Sequence, residues 1–229
     1  MKDRSESYFV AALLSITGGF LDAYTFVSRD GVFANAQTGN FARLAISLAE
    51  GSWERALRYV IPILFFVIGV SVTMWISRHA RKSRFLSWRQ YAVLLEILLL
   101  FLVSWIPYGK ISNICANLVV SFTCAIQAES FRKVLGTSFS STMCTGNLRN
   151  ATEYLNRFLE DKDKAQFKKS IQYFGIDVLF VLGAVIGTLT TKVLRIRATL
   201  CCCLMLGVVF LAISGEKKSK AEPVSCNPQ

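Results

Sequence analysis

Histidine is almost missing from this 229-residue chain; His79 is the only one. Proline occurs four times, and no HExxH, CxxC or GxSxG pattern is present. A metal centre or a His-based nucleophile has almost nothing to be built from. No metal, no cofactor and no enzymatic activity is therefore expected. The one catalytic route left open is an acid-only intramembrane site using Asp22 and Glu129.

Charge is also scarce. Only 18% of residues are charged, where a soluble domain carries about a quarter. The deficit is uneven, because long runs are nearly uncharged while Lys and Arg crowd between them. That pattern excludes a disordered chain and argues against a soluble basic protein such as a nucleic-acid binder. The net charge of +11 reads as membrane-flanking charge, not as a phosphate-binding patch.

Seven cysteines do not form a disulfide framework. Cys115, Cys124, Cys144 and the run Cys201 to Cys203 lie in apolar segments, and Cys226 lies in the polar tail. Consecutive cysteines on a helix point in three directions and cannot chelate one ion together. They read as small apolar packing residues.

Six segments are long enough to cross a bilayer core of about 30 Å, which takes roughly 17–25 helical residues. They are 8–28, 59–77, 91–107, 113–131, 171–191 and 198–214. None contains Lys or Arg, but Asp22, Glu96, Glu129 and Asp177 fall inside them. The first resembles a signal peptide in its Lys2 and Arg4 flank. Gly18, Gly19 and Asp22 interrupt its apolar run, so it is read as a retained span. The polar tail 215–229 reads as disordered.

Two further segments, 31–50 and 137–155, are moderately apolar and share one tripeptide. The first carries Thr38-Gly39-Asn40, the second Thr145-Gly146-Asn147. The two are 107 residues apart, and the same offset lays Asp22 on Glu129, Tyr24 on Phe131, Phe33 on Ser140 and span 91–107 on 198–214. Span 59–77 matches at an offset of 114, which lays Phe66 on Phe180 and Gly69 on Gly183. Each half then reads span, TGN element, span, span, as a duplication would.

The orientation of the halves depends on the TGN elements. If they cross fully, the chain has eight spans in parallel repeats. If they dip in and return, it has six spans, and three per half makes the halves inverted. With six spans and a cytoplasmic N-terminus, the inside loops and tails hold 17 basic residues against 7 outside, as the positive-inside rule requires. Eight spans give at best 11 inside and 13 outside. The fold expected is an all-α polytopic membrane helix bundle of six spans plus two TGN-broken re-entrant helices, as two inverted repeats. Residues 1–107 form the first repeat and 108–214 the second. Residues 40–50 as a helix rise about 16 Å, roughly half a membrane. Thr38 or Asn40 is expected to cap that half-helix and Gly39 to make its turn.

The run Gly18-Gly19-Phe20-Leu21-Asp22-Ala23, then Val32-Phe33, then Thr38-Gly39-Asn40 resembles the start of the YoaK family. Span order, length and the second TGN extend the resemblance to about residue 214. That resemblance implies a small multi-pass protein of the bacterial cytoplasmic (inner) membrane. The family has no established activity, and transport without a firm substrate is what it implies.

The candidate site follows from these elements. Asp22 reads either as a protonatable or cation-contacting group on a pathway, or as a carboxylate that caps a helix or pairs with Arg29. Glu129 reaches either the pathway or the cytoplasmic interface beside Arg132 and Lys133. Glu96 and Asp177 sit within about two turns of span starts and are expected to snorkel. Arg43 and Arg149 either neutralise Asp22 and Glu129 or hold an anionic ligand. Thr38, Gly39, Asn40, Thr145, Gly146 and Asn147, at half-helix starts with exposed N–H groups, are expected to bind a polar solute together with Asp22 and Glu129. The function expected is a transporter or channel for a small polar solute, with the site at the repeat interface. The alternative is a non-transporting membrane scaffold or partner subunit. The expected partners are the lipid bilayer and an unnamed small solute, with no nucleic acid; assembly as a homo-oligomer is left open.

Overall fold

The computed structural model describes residues 4–80, 86–134, 137–138 and 144–214. The tail 215–229, Ser140 and most of the second TGN's approach lie outside the described residues. Among the described residues the fold is helical apart from one antiparallel ribbon, β1 (Lys133–Val134) with β2 (Thr137–Ser138). The helices are α1 (Tyr8–Ser28), α2 (Gln37–Ala49), α3 (Trp53–His79), α4 (Trp88–Val103), α5 (Lys110–Ser130), α6 (Cys144–Asp161), α7 (Lys164–Leu194) and α8 (Thr199–Ile213).

Local chemistry sets their ends. Ser7 accepts from the Val10 N–H at 3.3 Å to start α1. Ser87 and Gln90 form a reciprocal capping box at the start of α4, which satisfies two otherwise orphaned donors. Asp163 accepts from the Ala165 N–H at 2.8 Å to open α7. The turn between α2 and α3 passes through Gly51 at φ +67°, a conformation that costs a side-chain-bearing residue 1–2 kcal/mol in general terms, about what glycine avoids.

By length and composition, four helical stretches can cross a membrane: α1, α3, α5, and α7 continued through a 3-10 turn into α8. The expected spans 59–77 and 171–191 lie inside longer helices, of 27 and 31 residues. Their polar first turns remain helical, so the helix ends do not coincide with the apolar runs. The expected spans 91–107 and 198–214 correspond to α4 and α8, which hold 16 and 15 residues. At 1.5 Å per residue these rise only about 23 Å each. The TGN elements are helices: α2 is preceded by non-helical chain, and α6 holds 18 residues, more than α4 or α8. α2, with 13 residues, rises about 20 Å and falls short of a bilayer core.

The packing is layered. Val10, Leu14, Phe20 and Tyr24 of α1 join Val93 and Leu100 of α4, Val120 and Cys124 of α5, and Cys202 and Leu206 of α8 in one buried core. α3 and α7 stand outside it, and their outer faces, including Leu64, Val67, Trp75, Val181, Val185 and Leu189, are exposed. An apolar exposed stripe of that length suits lipid contact.

Helix directions are fixed by side-chain contacts. α1 and α7 run parallel, since Ile16 lies against Gly183 and Phe20 against Gly187. A Cβ at Gly19 would collide with the Phe180 carbonyl, and one at Gly183 with that of Ile16, so small residues permit this backbone approach. α5 packs on α3, where a Cβ on Gly69 would lie 2.7 Å from the Phe122 carbonyl oxygen. α1 and α5 run antiparallel: Gln127 donates to the Leu14 carbonyl at 3.0 Å, and Asn117 to that of Arg29 at 2.7 Å. α4 and α8 also run antiparallel, with Gln90 on Ser214 at 3.1 Å and Thr199 donating to the Leu100 carbonyl at 3.1 Å. α2 folds back on α3, and α6 on α7.

Candidate functional site

Asp22 is the pivot of the first half. It lies two-thirds along α1, 5% exposed. Its Oδ1 accepts the Asn35 N–H at 2.7 Å, and the N–H groups of Ala36 and Ala34 also bear on the carboxylate. These residues form the turn into α2. The acid therefore occupies the N-terminal end of the short helix, where unpaired N–H groups and the helix dipole favour negative charge. The expected pairing of Asp22 with Arg29 is not what forms.

Arg29 instead closes the C-terminal end of α1. Although fully buried, it donates to the Tyr24 hydroxyl at 2.8 and 3.0 Å, to the carbonyls of Ile106 and Pro107 at 2.8 and 3.0 Å, and to Asn113 Oδ1 at 3.0 Å. It also stacks over Tyr108, 4.8 Å from the ring centre. All these partners are neutral.

The first TGN sits in the opening turn of α2. Neither Thr38 nor Asn40 is the cap, because Ala36 holds that position without a side-chain bond. Gly39 is helical and does not make the turn; its missing Cβ leaves room for the Phe33 ring, 3.0 Å away. Asn40, fully buried, clamps its own approach loop. It accepts the Phe33 N–H at 3.1 Å and donates to the Phe33 carbonyl at 2.6 Å and to Gln37 at 2.9 Å. Asn35 ties the same loop to α1 through the Gly18 carbonyl at 3.0 Å. Thr38 is exposed. Asp22 thus takes the N–H groups of the turn before α2, while those of Gln37, Gly39 and Asn40 bond the carbonyls of Asn35 and Ala36.

The second TGN also opens a helix, α6. Thr145 and Gly146 are exposed and Asn147 is buried, the same inward and outward sense as in the first. Asn147 donates across to Asp177 of α7 at 3.1 Å. Cys144 also hydrogen-bonds Asp177, and Asp22 lies close enough to act on the Cys144 thiol electrostatically. Asp22 therefore holds the start of α2 and is within electrostatic reach of the start of α6. Asp177 meets Asn147 and does not snorkel away from the protein. Glu129 is 20% exposed in its side chain and pairs with Arg132 at 3.4 Å. Arg43 does not neutralise Asp22: it lies over the rings of Phe26 and Phe33. Arg149 is exposed.

Glu96 departs most from expectation. It does not snorkel; it is 0% exposed, and neither carboxyl oxygen has a hydrogen-bond partner among the described residues. Two features escaped the sequence reading, the Glu96 burial and the Arg29 clamp. The only signal for Glu96 was its presence in a segment without Lys or Arg. Nothing local marked Arg29, whose partners lie some eighty positions on. A hollow of about 440 Å³ lined by Trp75, Ile76, His79, Ala80 and Tyr91 lies at the far end of α3 from its junction with α2.

Buried amides and acids gathered between α1, α4 and α5, within a bundle of membrane-length apolar helices, define a helical membrane-type protein. Residues 10–212 match the family described as a protein of unknown function (DUF1275), and the chain belongs to that family. YoaK-like proteins are included in it. No curated protein and no solved structure matches the chain.

Proposed function

We propose that the chain is a six-span carrier or channel of the bacterial cytoplasmic membrane, YoaK-like, built from two inverted repeats. A small polar solute passes between the repeats, lined by Asp22, Thr38, Gly39, Asn40, Glu129, Thr145, Gly146 and Asn147. The observation that carries this reading is helix direction. In parallel repeats α1 and α5 would run the same way, as would α4 and α8; both pairs run antiparallel. The packing supports the same exchange. α1 on α7 is answered by α5 on α3, α2 on α3 by α6 on α7, and α4 on α5 by α8 on α1. Two helices starting near Asp22 suit a site at the repeat interface, because irregular backbone inside a membrane needs protein or water to receive its polar groups.

Purified protein in liposomes tests the reading. Light scattering after a jump in glycerol, urea or a zwitterionic amino acid should show at least one solute entering faster than into empty vesicles. Thr38→Ala with Thr145→Ala should change that rate. Rates equal to those of empty vesicles across the panel would leave the scaffold reading. Gly39→Cys with Gly146→Cys, in a background without native cysteines, should cross-link through a short bifunctional reagent; labelling of the two positions from opposite faces would refute the shared site.

A further inference from the structure

Unpartnered oxygens collect at one level of the bundle. Besides both Glu96 carboxyl oxygens, Asn35 Oδ1 and Ser121 Oγ are buried without a partner among the described residues. Cys124 ties them together. Asn35 hydrogen-bonds its thiol, and Asp22 and Glu96 both act on it electrostatically. Ser121 is one turn earlier on the same face of α5. The set presents acceptors, with a single hydroxyl able to donate.

Among the described residues no positive charge balances them. α4 packs against α5, α8 and α3, and α5 in turn against α1. The titratable groups these bring are Asp22 and Tyr24 on α1, Cys124 on α5, and Cys202 and Cys203 on α8. α3 has none between Tyr59 and Arg78. The nearest buried cation, Arg29, is engaged by neutral groups. A buried carboxylate facing only acceptors is strongly penalised unless a positive charge joins it.

We propose that Glu96, with Asn35 and Ser121, forms a buried site for one monovalent cation, a proton or a sodium ion, beside the Asp22-held start of α2. One carboxylate with neutral oxygens matches a single positive charge. A divalent ion would call for more acids, and no group of three His, Cys, Asp or Glu able to hold a metal occurs among the described residues. In the carrier reading this cation drives or gates solute movement. Its binding does not depend on that reading and is measured without transport, so either can fail alone.

The test is thermal unfolding of the full chain in detergent, with sodium chloride exchanged for choline chloride at constant ionic strength, at several pH values. Sodium binding raises the wild-type melting temperature by about 5 °C at saturation and leaves Glu96→Gln unmoved. Proton binding leaves no sodium response; instead the wild-type melting temperature falls more steeply with rising pH than that of Glu96→Gln. Matching responses in wild type and Glu96→Gln overturn the proposal, as does a wild type indifferent to both ions. Should Glu96→Gln not accumulate, Asp22→Asn decides: it keeps the wild-type response if Glu96 holds the cation, and its loss there assigns the ion to Asp22 and overturns the site.

Discussion

The helices α2 and α6 both carry Thr-Gly-Asn in their first turn, and the acids that meet that turn differ. α2 is held from behind: Asp22 engages its turn, and Asn40 bonds the loop that leads into it. α6 is held from the side, by Asn147 and Cys144 on the Asp177 carboxylate of α7. Asn40 bonds its own approach loop, and Asn147 reaches a half-buried acid on the next helix. A repeated motif thus fixes which side chain points inward, while the neighbour it meets decides what that side chain does. The more accessible polar chemistry lies with the second half.

The comparison breaks most severely at the helix contacts that bracket it. Gly183→Ala should destabilise by about 3 kcal/mol and Gly69→Ala by about 2 kcal/mol, read as unfolding midpoints in detergent. The order follows from α1 and α7 sharing three close-approach glycines, 19, 183 and 187, where α3 and α5 have one. Equal losses would mean that the two interfaces are equally tight.

Asn40→Ala should cost about 2–3 kcal/mol, because it strands the N–H and carbonyl of Phe33, whereas Asn147→Ala frees the half-buried Asp177 carboxylate. Hydrogen exchange in residues 33–37 should rise only in Asn40→Ala. Next, Asp22→Asn should lower stability by about 1.5 kcal/mol through the lost charge at a helix start, and impair any measured transport more than Asp177→Asn. Full activity in both variants would make Asp22 a purely architectural acid. Smallest of all, Arg132→Ala should change stability by less than about 0.5 kcal/mol, as an exposed ion pair does. A larger loss would show Glu129 matching Asp22 in weight.

Much of this arrangement was legible in the apolar runs. Their positions located every long helix, because burial in lipid demands uninterrupted apolar length. The TGN tripeptides marked two more helices, since small and amide residues broke an otherwise apolar pattern. The ends of α3 and α7 were not legible: residues 53–58 and 164–170 are polar but remain helical, and hydropathy does not report helix continuation. Of the site, the pairing of Asp22 with the loop before Asn40 was only hinted at by its spacing. Its partners are backbone N–H groups, which no residue type advertises. Glu96 was misread because depth along a helix says nothing of which neighbours surround it.

Arg29 has a consequence for assembly during synthesis. Its carbonyl partners at 106 and 107 and its amide partner at 113 emerge from the ribosome long after α1 has entered the bilayer. Until then the Arg29 guanidinium has the Tyr24 hydroxyl of its own helix, and otherwise solvent, to satisfy it. Delivery of the α4–α5 turn releases Arg29 from solvent and brings α1 against α5. The groove that receives α7, the helix that packs parallel to α1 and is made late in synthesis, is then complete. The buried arginine works as a latch that closes only once the start of the second half has been made.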